Sequence, residues 1–197
     1  MTFSRNLFNY RRSAQPSFEE SQKYWLEEEL RKIERTLGGA AETYNPSYLG
    51  GFKDTTTQVA STVNTATPVT FNTVDYELGV YRGTPTSRIY LEHPGWYNLE
   101  FSLQVQHIAS ASASDIVVWV RYNGSDYPNS ARRVHIKGND ESVFASWNFT
   151  GQAQNADDYI ELMWSTTDLG TVLYTESANA VHPAIPSAVI TITQIAI

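Results

Sequence analysis

The chain has 197 residues, 41% of them hydrophobic and 13% aromatic, enough for one hydrophobic core with an appendage and too apolar for a disordered polymer. A net charge of -7 and a pI near 5.0 argue against a general polyanion binder. With no cysteine, disulfides, thiolate zinc sites and cysteine nucleophiles are excluded together.

Charge is spread unevenly. From residue 38 onward 7 basic side chains stand against 15 acidic ones, whereas residues 1–16 hold Arg5, Arg11 and Arg12 and no acid. The opening Met1-Thr2-Phe3-Ser4-Arg5-Asn6 lacks the apolar run of a signal peptide or membrane span, so a product made as a soluble protein in the cytoplasm is expected, with no membrane partner. Phe3, Leu7, Phe8 and Tyr10 alternate with Arg5, Arg11 and Arg12 in this stretch. Rings that anchor in pockets and guanidiniums that pair with carboxylates suit an extended docking arm over 1–16. A basic terminus with no fixed contacts is the plainer alternative.

An amphipathic helix is predicted over 17–37. Ser17 and Glu20 form a capping box, and Gly38-Gly39 supplies a stop. Leu26, Leu30, Ile33 and Leu37 recur at heptad-like spacing, and Glu27 with Arg31 and Glu28 with Lys32 sit one turn apart. So narrow a seam needs a partner: the same helix from sister subunits, a foreign surface, or the chain's own body. Residues 38–56, rich in glycine and turn formers, read as a linker whose Tyr44, Tyr48, Leu49 and Phe52 lie against something.

Strand-like runs follow at regular intervals over 57–197, near 58–63, 69–72, 79–82, 87–92, 96–107, 116–122, 132–136, 142–149, 159–164, 171–174 and 187–195. The clearest is Tyr97 to Gln106, in which odd positions are apolar and even positions polar without a break. Ile116 to Tyr122 ends in Asn123-Gly124, a tight-turn dipeptide. The predicted fold is therefore mainly β, an antiparallel jelly-roll sandwich preceded by an extended N-terminal arm and one α-helix. Two strands look apolar on both faces, Ile116 to Val120 and Tyr159 to Trp164. In a two-layer sandwich the second face needs cover, and Val117, Trp119 and Trp164 are expected at a subunit interface, unless a helix or loop of the same chain covers them.

Three segments, Pro94-Gly95-Trp96-Tyr97-x-Leu99-x-Phe101-Ser102, Val118-Trp119-Val120-Arg121-x-Asn123-Gly124 and Ala156-Asp157-Asp158-Tyr159-Ile160-Glu161-Leu162-x-Trp164, resemble the jelly-roll module of the complement-component and tumour-necrosis-factor-like superfamily. In particular they look like the version found in tailed-bacteriophage virion proteins, and the resemblance covers roughly 57–197. It implies a trimer with a binding or structural role and no catalysis.

Chemistry-bearing patterns are sparse. His93, His107, His135 and His182 fall in separate segments without ligand spacing, and no serine sits in a Gly-x-Ser-x-Gly elbow. Asp157-Asp158 reads as a polar turn, with a cation site as the alternative. No cofactor and no nucleic acid are expected, Arg132-Arg133 with Lys137 being the one basic cluster of the body. The expected function is that of a structural virion protein, a trimeric capsid decoration (cement) protein held by its arm. Its partners are then itself and the major capsid protein or neck and tail proteins. A short head, neck or tail fibre that recognises a host surface glycan is one alternative. A stand-alone carbohydrate-binding module, with Trp96, Tyr127 and Tyr174 as stacking platforms, is another.

Overall fold

Alternation of apolar and polar residues along the second half of the chain builds two antiparallel sheets around a shared core. The structure, a computed structural model, describes residues 19–43, 48–108, 112–138 and 141–196. It divides into two units, Met1–Pro46 and Ser47–Ile197.

In the first unit, α1 spans Glu19–Thr43. It does not stop at Leu37 as the sequence suggested, but continues through Gly38-Gly39. Each glycine costs a helix about 1 kcal/mol, yet Ala40 and Ala41 beyond them are the best of helix formers and carry the helix on. Within α1 an ion pair joins Lys32 to Glu29, at 3.0 Å and one turn apart, in place of the expected Glu28–Lys32 pairing. The arm over 1–16 and the cap residue Ser17 lie outside the described residues.

The second unit opens with β1 (Leu49–Asp54), β2 (Gln58–Val59), β3 (Thr67–Pro68), β4 (Thr73–Leu78), β5 (Val80–Arg82) and β6 (Ile89–Leu91). It continues with β7 (Gly95–His107), β8 (Ser114–Tyr122), β9 (Ser125–Asp126) and β10 (Arg132–Ile136). The last four strands are β11 (Ser142–Ala153), β12 (Asp158–Thr166), β13 (Thr171–Leu173) and β14 (Ala188–Ala196).

Sheet 1 runs β11-β7-β14-β1-β4, with β13 and then β2 added at the C-terminal end of β7. Sheet 2 runs β10-β8-β12-β6-β5, with β3 on β12 and β9 on β8. The long strands in chain order, β7, β8, β10, β11, β12 and β14, pass from sheet to sheet and return, which is the jelly-roll arrangement. Asn123 and Gly124, both with positive φ (46° and 82°), make the two-residue turn from β8 to β9, as the dipeptide predicts.

The core lies between the sheets. Tyr97, Leu99, Phe101, Leu103 and Val105 of β7 meet Ile116, Val118 and Val120 of β8 and Ile160, Leu162 and Trp164 of β12. Phe101 and Trp147 pack edge to face at 4.6 Å.

Two sequence expectations fail here. The segment 49–54 is no linker: it is β1, paired on both edges, with Phe52 fully buried. Its glycines admit neighbours that side chains would exclude, since a Cβ at Gly51 would come within 2.6 Å of the Tyr76 ring. Trp164, expected at a subunit interface, is buried in the core, because the β8–β12 register pairs it with the inward-facing Val118.

Candidate assembly face

In a filled sandwich the outward faces of the sheets remain for recognition, and here the two differ in kind. The crevice between the sheet ends, lined by Leu99, Val120, Tyr122 and Phe149, has a volume of about 10 Å³, room for no more than one water.

Sheet 2 has an outward face closed by its own side chains. Arg121 pairs with Asp126 at 2.8 Å, and the Trp119 indole N–H donates to the same carboxylate at 2.8 Å. These bonds, from Arg121 first and Trp119 second, hold the Asp126 carboxyl below the usual carboxylate range. Asp115 accepts from His135 and Arg133, which lower its carboxyl in the same way. Met163 is buried in register between Trp119 and Pro68, and Glu161 accepts from Ser87 at 2.8 Å. The second apolar face that seemed to need a subunit is thus covered largely from within the chain. Val117 and Trp119 stay half-buried on that face.

Tyr81, Tyr90 and Tyr159 extend this face as a cross-strand ladder, the first two stacked at 5.3 Å, with Arg88 over the Tyr159 ring. The Tyr81 hydroxyl donates to Asp157, which together with burial pushes its pKa up to about 12.

At the end of β12, Asp158 is buried and accepts from the Tyr122 hydroxyl, from Asn123 Nδ2 and from the backbone N–H groups of Gln154 and Asn155. Burial pushes its carboxyl up, but these four bonds outweigh it and the net shift is downward. Both carboxylates of the Asp157-Asp158 pair are therefore engaged as hydrogen-bond acceptors. Among the described residues no three His, Asp or Glu side chains converge as metal ligands would.

Sheet 1 presents another chemistry. Its register sets Thr150, Asn98, Thr193, Leu49 and Leu78 in one row, and Asn148, Glu100, Thr191, Gly51 and Tyr76 in the next. A third row holds Ser146, Ser102, Val189, Lys53 and Thr73. Directly paired residues share a face, and the inward positions between them fill the core, so these rows point outward. Exposed apolar side chains stand at the margins of this face: Trp96, Phe144 (64% exposed), Tyr76 and Leu78 (53%). Among the outward positions of β7, β11 and β14 the single formal charge is Glu100. Further out, Lys53 of β1 is paired with Asp75.

Apart from Trp96, the sequence does not single out these outward residues. The signal was present in the even positions 98–106, polar yet almost uncharged, which is unlike an ordinary solvated face.

Other expected site residues are dispersed. Leu26 and Leu30 are more than half exposed on α1 and Ile33 is half-buried, while the side chain of Leu37 and the docking residues Phe3, Arg5, Leu7, Phe8, Tyr10, Arg11 and Arg12 lie outside the described residues. Trp96, Tyr127 and Tyr174 form no common platform: Tyr127 packs edge-on against Phe149, and Tyr174 bonds to Gln104, eight residues and about 26 Å along β7 from Trp96.

No protein-family model matches this chain, and no curated protein matches it in sequence. Solved structures similar to it include murine APRIL at pH 8.5, with 12% identity, a TM-score of 0.45, and coverage of 76% of this chain and 99% of that one. Murine APRIL at pH 8.0 is similar at 9% identity over the same shares, with a TM-score of 0.47. The likeness is confined to the arrangement of strands.

Proposed function

We propose that this chain is a non-catalytic structural protein that associates with its own copies through the outward face of sheet 1. The contrast between the two outward faces carries this reading. In a chain of net charge -7, most contacts between copies set like charges together; the face of β7, β11 and β14 is the one on which they meet at least electrostatic cost. Its hydroxyl and amide side chains can bond across a symmetric contact, and Trp96, Phe144, Tyr76 and Leu78 supply apolar area. Three copies are the state that the sequence resemblance favours.

Within that reading the helix and basic arm attach the assembly to a larger particle, and the capsid of a tailed bacteriophage is the setting the resemblance suggests. The apolar residues Leu26 and Leu30, exposed on α1, offer the seam that such attachment needs.

The test combines mass and attachment. Light scattering on the full chain should give three times the 22.2 kDa subunit mass. Deleting residues 1–16 should keep that mass while ending co-sedimentation with capsids. A stable monomer would refute the assembly, and unchanged co-sedimentation of the truncated chain would refute the arm.

A further inference from the structure

The row Tyr81, Tyr90 and Tyr159 is the end of sheet 2 that does not close all its own bonds. These residues pair in register across β5, β6 and β12, and their neighbours Val80, Ile89 and Ile160 fill the core, so the rings stand outward. Tyr81 comes last, because β5 is the edge strand. One face of its ring stacks on Tyr90 at 5.3 Å and 11°, and no ring or cation of the described residues stands on the other. One carboxylate oxygen of Asp157 takes the Tyr81 hydroxyl at 2.7 Å, and the second accepts from no side chain among the described residues. Farther along, the Tyr159 hydroxyl makes no hydrogen bond among them either. Arg88, over the Tyr159 ring at 4.6 Å, is offset by Glu161 at 3.6 Å.

These features select among ligands. An anion would meet Asp157 and Glu92, whose charges both already bear on the Tyr81 hydroxyl. An apolar segment would cover the open Asp157 oxygen and the Tyr159 hydroxyl and leave both without partners. A neutral sugar suits both kinds of group, since it offers a C–H face to a ring and hydroxyls that donate and accept. We propose that this row binds a neutral glycan, with the C–H face of a sugar on the open face of Tyr81 and its hydroxyls on the free Asp157 oxygen and, farther along the chain of sugars, on Tyr159. The stack on Tyr90 fixes the Tyr81 ring before the ligand arrives, so little freedom is lost on binding. The site belongs to a single subunit and lies on the sheet that the proposed assembly leaves open, so it stands or falls separately from that reading.

Binding of the full chain to an array of neutral and sialylated oligosaccharides tests this, with Tyr81→Ala, Asp157→Asn and Tyr24→Ala alongside. The parent should bind neutral glycans and pass over the sialylated ones. In titrations with the best neutral glycan, Tyr81→Ala should weaken binding by about tenfold or more, the loss of a ring contact. Asp157→Asn should weaken it several-fold, at a positive φ (62°) that asparagine tolerates. Tyr24→Ala, which removes a ring 71% exposed on α1, should bind like the parent. Denaturation midpoints show whether each variant is folded, and should Tyr81→Ala fail to fold, Asp157→Asn decides. A row that only stabilises its sheet would give a Tyr81→Ala chain of lower midpoint and no glycan binding to lose. Absence of neutral-glycan binding by the parent, or full binding by both folded site variants, would overturn the proposal. Loss of capsid attachment by Tyr81→Ala, with no glycan bound by the parent, would give the row to a protein partner instead.

Discussion

The outward faces of the two sheets share a backbone plan and differ in how their side chains are satisfied. On sheet 2 a charge finds an opposite charge within the same chain: Arg121 with Asp126, Arg88 with Glu161 at 3.6 Å, Arg133 with Asp115. On sheet 1 the outward positions of β11, β7 and β14 carry hydroxyls, amides and exposed rings, with Glu100 as the single formal charge. A surface that completes its own bonds gains little from a partner, whereas one that leaves short polar side chains and apolar rings in water can gain from both. Apolar content taken strand by strand therefore points to the wrong sheet, because Trp119 and Met163 are spent on internal cover.

Tryptophan substitutions on sheet 2 test the contrast with the largest effect. Trp164→Ala should cost about 3–5 kcal/mol of stability, since it empties a fully buried site, and chemical denaturation measures this. Were Trp164 a subunit contact, the same change would weaken association and leave subunit stability nearly intact. Its indole N–H is buried with no acceptor among the described residues, so Trp164→Phe should cost well under half as much.

Asp158 sharpens the picture of a self-satisfied sheet. Asp158→Asn, which keeps the shape and removes the charge, should cost about 1–3 kcal/mol at neutral pH, because a carboxylate with four donors becomes an amide that cannot accept from all of them. Its carboxyl is lowered in the folded state, so the contribution is present above the unfolded carboxylate value and lost as pH falls through the folded one. The variant should accordingly lose less stability than the parent on acidification below about pH 4, as denaturation midpoints over a pH series will show.

A smaller change is expected at Asp126. Replacing it with asparagine removes an exposed ion pair with Arg121 and weakens the acceptor of the Trp119 indole, at a cost of about 1 kcal/mol or less. Trp119 fluorescence should shift while the association state stays that of the parent. A gain in association would mean that freeing Trp119 opens a second assembly surface on sheet 2.

How far the sequence shows all this depends on which constraint dominates locally. Where one face of a strand is buried, alternation gives the element almost residue by residue, as with β7 and with β10, whose bounds Arg132–Ile136 match the expectation. Glycine misleads twice, in opposite ways. Gly38-Gly39 reads as a stop, yet the residues beyond it favour helix, and Gly50-Gly51 reads as a linker, yet β1 uses those positions to admit the Phe52 and Tyr76 rings. The assembly face is harder to find because it depends on cross-strand register. Phe144 joins Gln104, and Tyr76 joins Gly51 and then Thr191, only once β11, β7, β14, β1 and β4 lie side by side.

The most direct measurement compares one charge placed on each outward face. Thr191→Glu sits in the middle row of sheet 1, directly across from Glu100, and Val117→Arg sits outward on sheet 2 beside Arg133 and Ser165. Sedimentation equilibrium of the two variants and the parent, under conditions where the parent is assembled, should find Val117→Arg at the parent's mass and Thr191→Glu at 22.2 kDa, the mass of a single chain. An assembled Thr191→Glu beside a monomeric Val117→Arg would contradict the account and return the interface to sheet 2.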